Sequence, residues 1–237
     1  MSGVAPARRV AYTVVRRVFE HGAYADRALA AEADRAGLDG RDRGLAVRLA
    51  YGVVQRARTL DHEAALLTGR PAERLDPATR AALRLGLLQL RFLDSVPAHA
   101  AVAESVELAK ADSPGGAKLV NAVLRRAARE APPALDDATP AQAAIAHSVP
   151  DWLAELWWEE LGADEARALL RVVNEPPEHA LRVNALVAAD LRAIPAVPAA
   201  EPPEALILTE PWDAVGSPEW AAGAIYPQSR ASMLVAR

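Results

Sequence analysis

The sequence predicts a mainly helical protein with a small α/β segment near its C-terminal end, on three observations. Through the first 130 residues apolar side chains recur at helical spacing and no alternating strand pattern appears. The composition is 51% hydrophobic but only 5% aromatic, with much of the apolar share in alanine, which favours helices with close-packed small faces. The first convincing strand candidate, ALRVNAL at 180–186, comes only after a break at Asn174-Glu175-Pro176-Pro177.

Residues 5–20 read as an amphipathic helix. At about 100° per residue Val10, Ala11, Val14, Val15, Val18, Phe19 and Tyr12 share one arc, with Arg9 and Arg16 opposite and Arg8 and Arg17 beside them. No acid precedes Glu20, so the stripe reads as a functional basic face, although an ordinary solvated face has the same pattern. An Ala-rich helix follows over 24–36, and a start at Asp39 leads into RDRGLAVRLAYGVVQRARTL and then DHEAALL. Asp76-Pro77 supplies an N-cap and a proline at the first helical position, opening a helix over 77–93. Pro97 opens another to about Lys110, and Ser113-Pro114 opens the one carrying LVNAVLRRAARE.

Ala131-Pro132-Pro133 reads as a linker, because paired prolines oppose helix continuation. Shorter helices are expected at 139–147, 151–161 and 163–173, the second carrying Trp152, Trp157 and Trp158. These tryptophans read as interdomain core, with base stacking as the other reading. Prolines crowd residues 195–218, ALILT (205–209) and AIYP (224–227) are further strand candidates, and the chain stops inside an apolar-periodic segment.

The net charge of −4 hides a split. Residues 1–130 hold 21 Lys/Arg against 15 Asp/Glu, a net of +6, and residues 131–237 carry a net of −10. A basic half is the electrostatic footprint of a nucleic-acid binder, because cations near phosphates release condensed counterions. Cysteine is absent, which excludes disulfides, Cys-ligated zinc, iron–sulfur clusters and thiolate nucleophiles. No run of 18 apolar residues offers a membrane span and no apolar core follows the N-terminal arginines, so a cytoplasmic protein with no membrane partner is expected.

Catalytic motifs are missing. The five histidines show no HxxxH pairing, and Asp61-His62-Glu63 is the nearest approach to a ligand cluster, but neighbours on a helix point apart; no metal is expected. There is no GxSxG elbow, P-loop or GxGxxG. SPGGAK (113–118) could be a Gly-rich ligand loop only after a strand; helices are expected on both sides, so it reads as a helix–helix turn.

The blocks DRGLAVRLAYGVVQRARTLD (42–61), LDPATRAALRLGLLQLRFLDSVPAHAAVAESVELAK (75–110) and LVNAVLRR (119–126) resemble the NusB-like fold. HSVPDWLAELWWEELG (147–162), NEPPEHALRVN (174–184) and IYPQSRASMLVA (225–236) go further. They resemble bacterial ribosomal RNA cytosine-5 methyltransferases that carry an N-terminal NusB-like domain. The last block departs from that family's usual Gln-Asp-x-Ala-Ser, reading Gln228-Ser229-Arg230-Ala231-Ser232.

The resemblance implies a NusB-like all-helical bundle over 1–131, a helical linker region over 132–178, and an incomplete, partly RRM-like α/β domain over 179–237. The Rossmann-like catalytic domain is expected beyond residue 237, with its S-adenosylmethionine site and the cysteine thiolate that adds to C6 of cytosine. No catalytic, cofactor or metal residue is assigned here. The chain is then expected to be the N-terminal portion, which docks ribosomal RNA for that domain. Because NusB-like domains use a basic first helix, Arg8, Arg9, Arg16 and Arg17 are the first candidates for phosphate contacts, followed by Arg125 and Arg126. Arg182 and Asn184 are candidates in the second domain, a structural ion pair being the other reading of Arg182. The alternative function is a transcription antitermination protein that binds RNA with a ribosomal-protein partner, against which the last hundred residues argue.

Overall fold

The computed structural model describes residues 3–175 and 178–236. They form two compact units, Met1–Asn174 and Glu175–Arg237.

The first unit is helical. Its elements are α1 (Pro6–His21), α2 (Ala25–Arg35), α3 (Gly40–Gln55), α4 (Ala57–Thr68), a 3-10 turn (Ala72–Arg74), α5 (Pro77–Phe92), α6 (Ala98–Asp112), α7 (Pro114–Ala127), α8 (Pro140–Ala146), α9 (Asp151–Leu161) and α10 (Ala163–Val172). Local chemistry sets several starts. The Asp76 carboxylate accepts from the Thr79 N–H at 2.9 Å ahead of Pro77, and the Ser113 hydroxyl accepts from the Gly116 N–H at 3.3 Å ahead of α7. The segment from Asp39 is not continuous, because the helix breaks at Arg56. The break redirects α4 so that Leu60 and Glu63 are buried, and its carboxylates meet arginines of α5.

α5 is the centre of the unit. Eleven of its 16 residues are buried, including every position from Ala81 to Gln89, and it packs against α1, α3, α4, α6 and α7. A helix enclosed on nearly every side needs a small residue where a neighbour crosses closely. Gly86 fills that role: a Cβ there would run into the side chain of Leu124 of α7, itself fully buried. The polar side chains of α5 are matched from outside. Arg84 donates to both oxygens of Asp61 at 2.7 and 2.5 Å and lies 3.9 Å from the centre of the Phe19 ring. Arg91 donates to Glu63 at 2.9 and 2.5 Å.

α7 ends at Ala127, ahead of Pro132 and Pro133, and no regular element follows until α8. These prolines do not end the compact unit, whose limit falls at Asn174 rather than at the expected linker. The reason is a polar seam between α4 and the α8–α9 region. The Thr59 hydroxyl donates to Ile145 O at 2.6 Å, the Arg58 N–H donates to Ser148 Oγ at 3.1 Å, and the Arg58 guanidinium holds Asp151 at 2.7 Å. Asn174 closes the seam, its amide donating to His147 O at 2.6 Å and Gln55 O at 3.3 Å. Trp157 and Trp158 pack on a local cluster of Ala143, Ala144, Val149, Ala154 and Leu170, while Trp152 is exposed.

The second unit holds β1 (Ala180–Val183), β2 (Ala196–Pro198), β3 (Ala205–Leu208), α11 (Pro218–Ala221), β4 (Ile225–Pro227) and α12 (Arg230–Val235). The strands form one antiparallel sheet in the order β2-β3-β1-β4. Leu181, Ile194 and Ile225 build one small core; Ala180, Ala205 and Met233 of α12 build another. Sequence periodicity does not reveal β2 or α11, since prolines interrupt both stretches.

Packing around α5 separates two glycines. Gly86→Val is expected to destabilise by about 1–3 kcal/mol, the cost of overpacking a filled core. Gly44→Ala, on an exposed stretch of α3 with open space at its Cβ, is expected to stabilise by up to about 1 kcal/mol. Urea midpoints at unchanged slope check both.

Candidate nucleic-acid interface

α1 carries the four leading cations, and the fold treats them differently. Arg8 does not join a surface stripe. Its Nε donates to the Gln89 amide oxygen at 2.6 Å, its guanidinium holds Glu104 at 3.1 Å, and its side chain is 11% exposed. The expectation that Arg8 reaches phosphate is therefore corrected: the residue joins α1 to α5 and α6. Arg16 is held between Glu20 (2.5 and 2.9 Å) and Asp112 of α6 (2.5 Å). Hydrogen bonds from Arg16 keep the Glu20 carboxyl below the usual carboxylate range, with burial opposing them. The Arg16–Glu20 pair is therefore closed at neutral pH. Arg17 holds Glu32 of α2 at 2.7 Å. Arg9 is exposed and makes no ion pair among the described residues.

Arg9, Arg16 and Arg17 do come together. They line a groove of about 720 Å³ between α1 and α6, joined by His21 of α1 and by Lys110 and Asp112 of α6. The basic stripe inferred from helical spacing is thus a mixed-charge groove with one uncommitted arginine. Lys110 and His21 were not singled out by sequence; Lys110 lies about a hundred residues from Arg9, and only the packing of α6 on α1 joins them.

Arg125 and Arg126 are adjacent on α7 and face different surroundings. Arg126 donates to both oxygens of Glu130 at 2.9 Å, an exposed pair one turn apart. Arg125 is exposed, makes no ion pair among the described residues, and opens onto a second groove of about 500 Å³ between α6 and α7.

In the second unit Arg182 is exposed on β1, directly opposite Tyr226 of β4. Tyr226 stacks on Trp220 with ring centres 5.1 Å apart. The ion-pair reading of Arg182 finds no partner among the described residues. Asn184 is committed to the turn after β1: its amide donates to Gly223 O at 2.9 Å and its side-chain oxygen accepts from the Leu186 N–H at 3.1 Å. That geometry gives Asn184 a structural role in the turn. The Asp61-His62-Glu63 cluster likewise has both carboxylates taken by Arg84 and Arg91.

A helical bundle with a cationic first helix, followed by a small antiparallel sheet, defines the class. The NusB family model matches residues 5–129, more than half of the chain, and over that span the chain belongs to the NusB family. Longer matches reach beyond it. The chain is 38% identical over 183 residues to the probable ribosomal RNA small subunit methyltransferase B of Synechocystis sp., covering 76% of this chain and 41% of that protein. It is 48% identical over 118 residues to ribosomal RNA small subunit methyltransferase B of Thermus thermophilus, covering 49% of this chain and 26% of that protein. The crystal structure of PH0851 shares the fold with a TM-score of 0.65 at 19% identity, over 98% of this chain and 55% of that one. The chain thus spans about two fifths of the length of the first of these relatives.

Arg8 gives a direct check on this reading of α1. Arg8→Met is expected to lower stability by about 2–3 kcal/mol, because Gln89 Oε1 and Glu104 Oε1 lose the guanidinium in a poorly hydrated place, and the Ala5 N–H on the other Glu104 oxygen does not replace that charge. Thermal melting should show this, while Arg9→Met leaves the melt nearly unchanged.

Proposed function

We propose that this chain is the RNA-docking N-terminal part of an S-adenosylmethionine-dependent small-subunit ribosomal RNA cytosine-5 methyltransferase acting in the cytoplasm. One observation carries the reading: the match to proteins named ribosomal RNA small subunit methyltransferase B runs over 183 residues, well past the 5–129 span of the NusB family. An antitermination factor built from the NusB domain alone would not require that continuation. In this reading residues 1–131 engage ribosomal RNA, 132–178 connect, and 179–237 lead into a catalytic domain supplied by further sequence.

The residues present do not fit S-adenosylmethionine. The Gly-rich stretch 113–118 is the N-cap and first turn of α7, directly after α6 rather than after a strand, and a Cβ at Gly116 would collide with Thr79. With no cysteine in its sequence, the chain supplies no thiolate for attack on a pyrimidine ring. Its own contribution is to bind and orient RNA through charge.

Arg9 and Arg16 separate a free cation from a balanced one. In anisotropy titrations with small-subunit ribosomal RNA fragments, Arg9→Ala is expected to lower the slope of log affinity against log salt by about one. Arg16→Ala should change it little, because Glu20 and Asp112 already balance that charge. Calorimetry with S-adenosylmethionine should show no heat. Absence of any salt-dependent binding to ribosomal RNA would overturn the assignment.

A further inference from the structure

We infer that the groove between α6 and α7, rather than the α1 stripe alone, forms a track for RNA backbone phosphates, with Arg125 and Arg129 as its principal contacts. This rests on the RNA-docking reading above and names a surface for it.

The two sides of the bundle differ in which cations are free. On α1, three of four arginines are neutralised by Glu104, Glu20 with Asp112, and Glu32. On the α7 side the pattern reverses. Arg125 and Arg129 line the groove with His99 of α6 and Asn121, and among the described residues no acidic one lines it. Both arginines are exposed, and neither makes an ion pair among the described residues. The only acid close in sequence, Glu130, is taken by Arg126.

Helical geometry places these groups in a row. Asn121 and Arg125 are one turn apart on α7, and Arg129 follows one turn later, where the Ala128 N–H still bonds Leu124 O at 2.9 Å in helical fashion. Lys118, two turns before Arg125 and also exposed, extends the row. Such a row can follow a phosphate backbone, and unpaired guanidinium forks suit phosphate oxygens. A protein partner fits less well. The apolar lining consists of alanines and the nearly buried Val102, which leaves no pocket for the aromatic or aliphatic anchor that protein interfaces use.

The test uses the full chain. Arg125→Ala with Arg129→Ala should lower the salt slope of ribosomal RNA binding by about two, with weaker affinity across RNA sequences and an unchanged melting curve. Arg70→Ala with Arg74→Ala removes the same charge from another exposed site and should leave the slope nearly intact. If the two double variants behave alike, the effect is net charge and the track is overturned. It is equally overturned if the Arg125/Arg129 variant keeps the parent slope, or if sedimentation shows that it changes self-association instead. Should Arg9→Ala still lower the slope in that case, the RNA-docking reading survives; if the parent chain shows no salt-dependent binding, both fall.

Discussion

A helix buried along almost its whole length sets the terms for the helical unit. α5 has apolar neighbours on nearly every side, so its buried polar side chains must find partners, on other helices or on its own backbone. Arg84 and Arg91 draw Asp61 and Glu63 inward and so fix the face that α4 presents. Gln89 is 2% exposed; its amide donates to Leu85 O at 2.9 Å and its oxygen receives Arg8. Through that bond the interior claims a cation from α1. Breaking one member of such a pair costs far more than removing both, so these contacts specify helix placement more than they add stability.

The same logic governs the surface. Arginine is abundant in the first half, and abundance by itself says little about ligand binding, because long forked side chains readily find acids across helices. Arg16 and Arg17 illustrate this, each held by a carboxylate from another helix. What distinguishes Arg9, Arg125 and Arg129 is that, among the described residues, no acid pairs with them. A phosphate approaching them displaces only water, whereas one approaching Arg16 must also displace Glu20 and Asp112.

Much of the helical architecture was legible in the sequence, because its signals are local. Apolar periodicity, Asp76-Pro77 and Ser113-Pro114 mark helices that the structure contains, within a residue or two. The break at Arg56 was not legible, since no glycine or proline stands at it and the contacts it allows, Asp61 with Arg84 and Glu63 with Arg91, join separate helices. The limit at Asn174 was hidden for a similar reason: paired prolines report a local stop, while the return of α8 onto α4 is a contact across some ninety residues. β2 and α11 are short and interrupted by proline, so periodicity could not show them. Of the candidate contacts, Arg9, Arg125 and Arg182 remain exposed, while Arg8 is held by Gln89 and Asn184 bonds Gly223, partners at separations that spacing rules do not reach.

The seam between α4 and residues 145–174 bears on how such proteins can be cut and recombined. The span matched by the NusB family ends at residue 129, which suggests a portable cassette. Lifted out there, the cassette would expose the Thr59 hydroxyl and the Arg58 N–H without their acceptors, together with the face of α4 on which α8 rests. Chimeras that exchange this module between proteins should therefore be joined after Asn174, so that the three short helices travel with the bundle they complete.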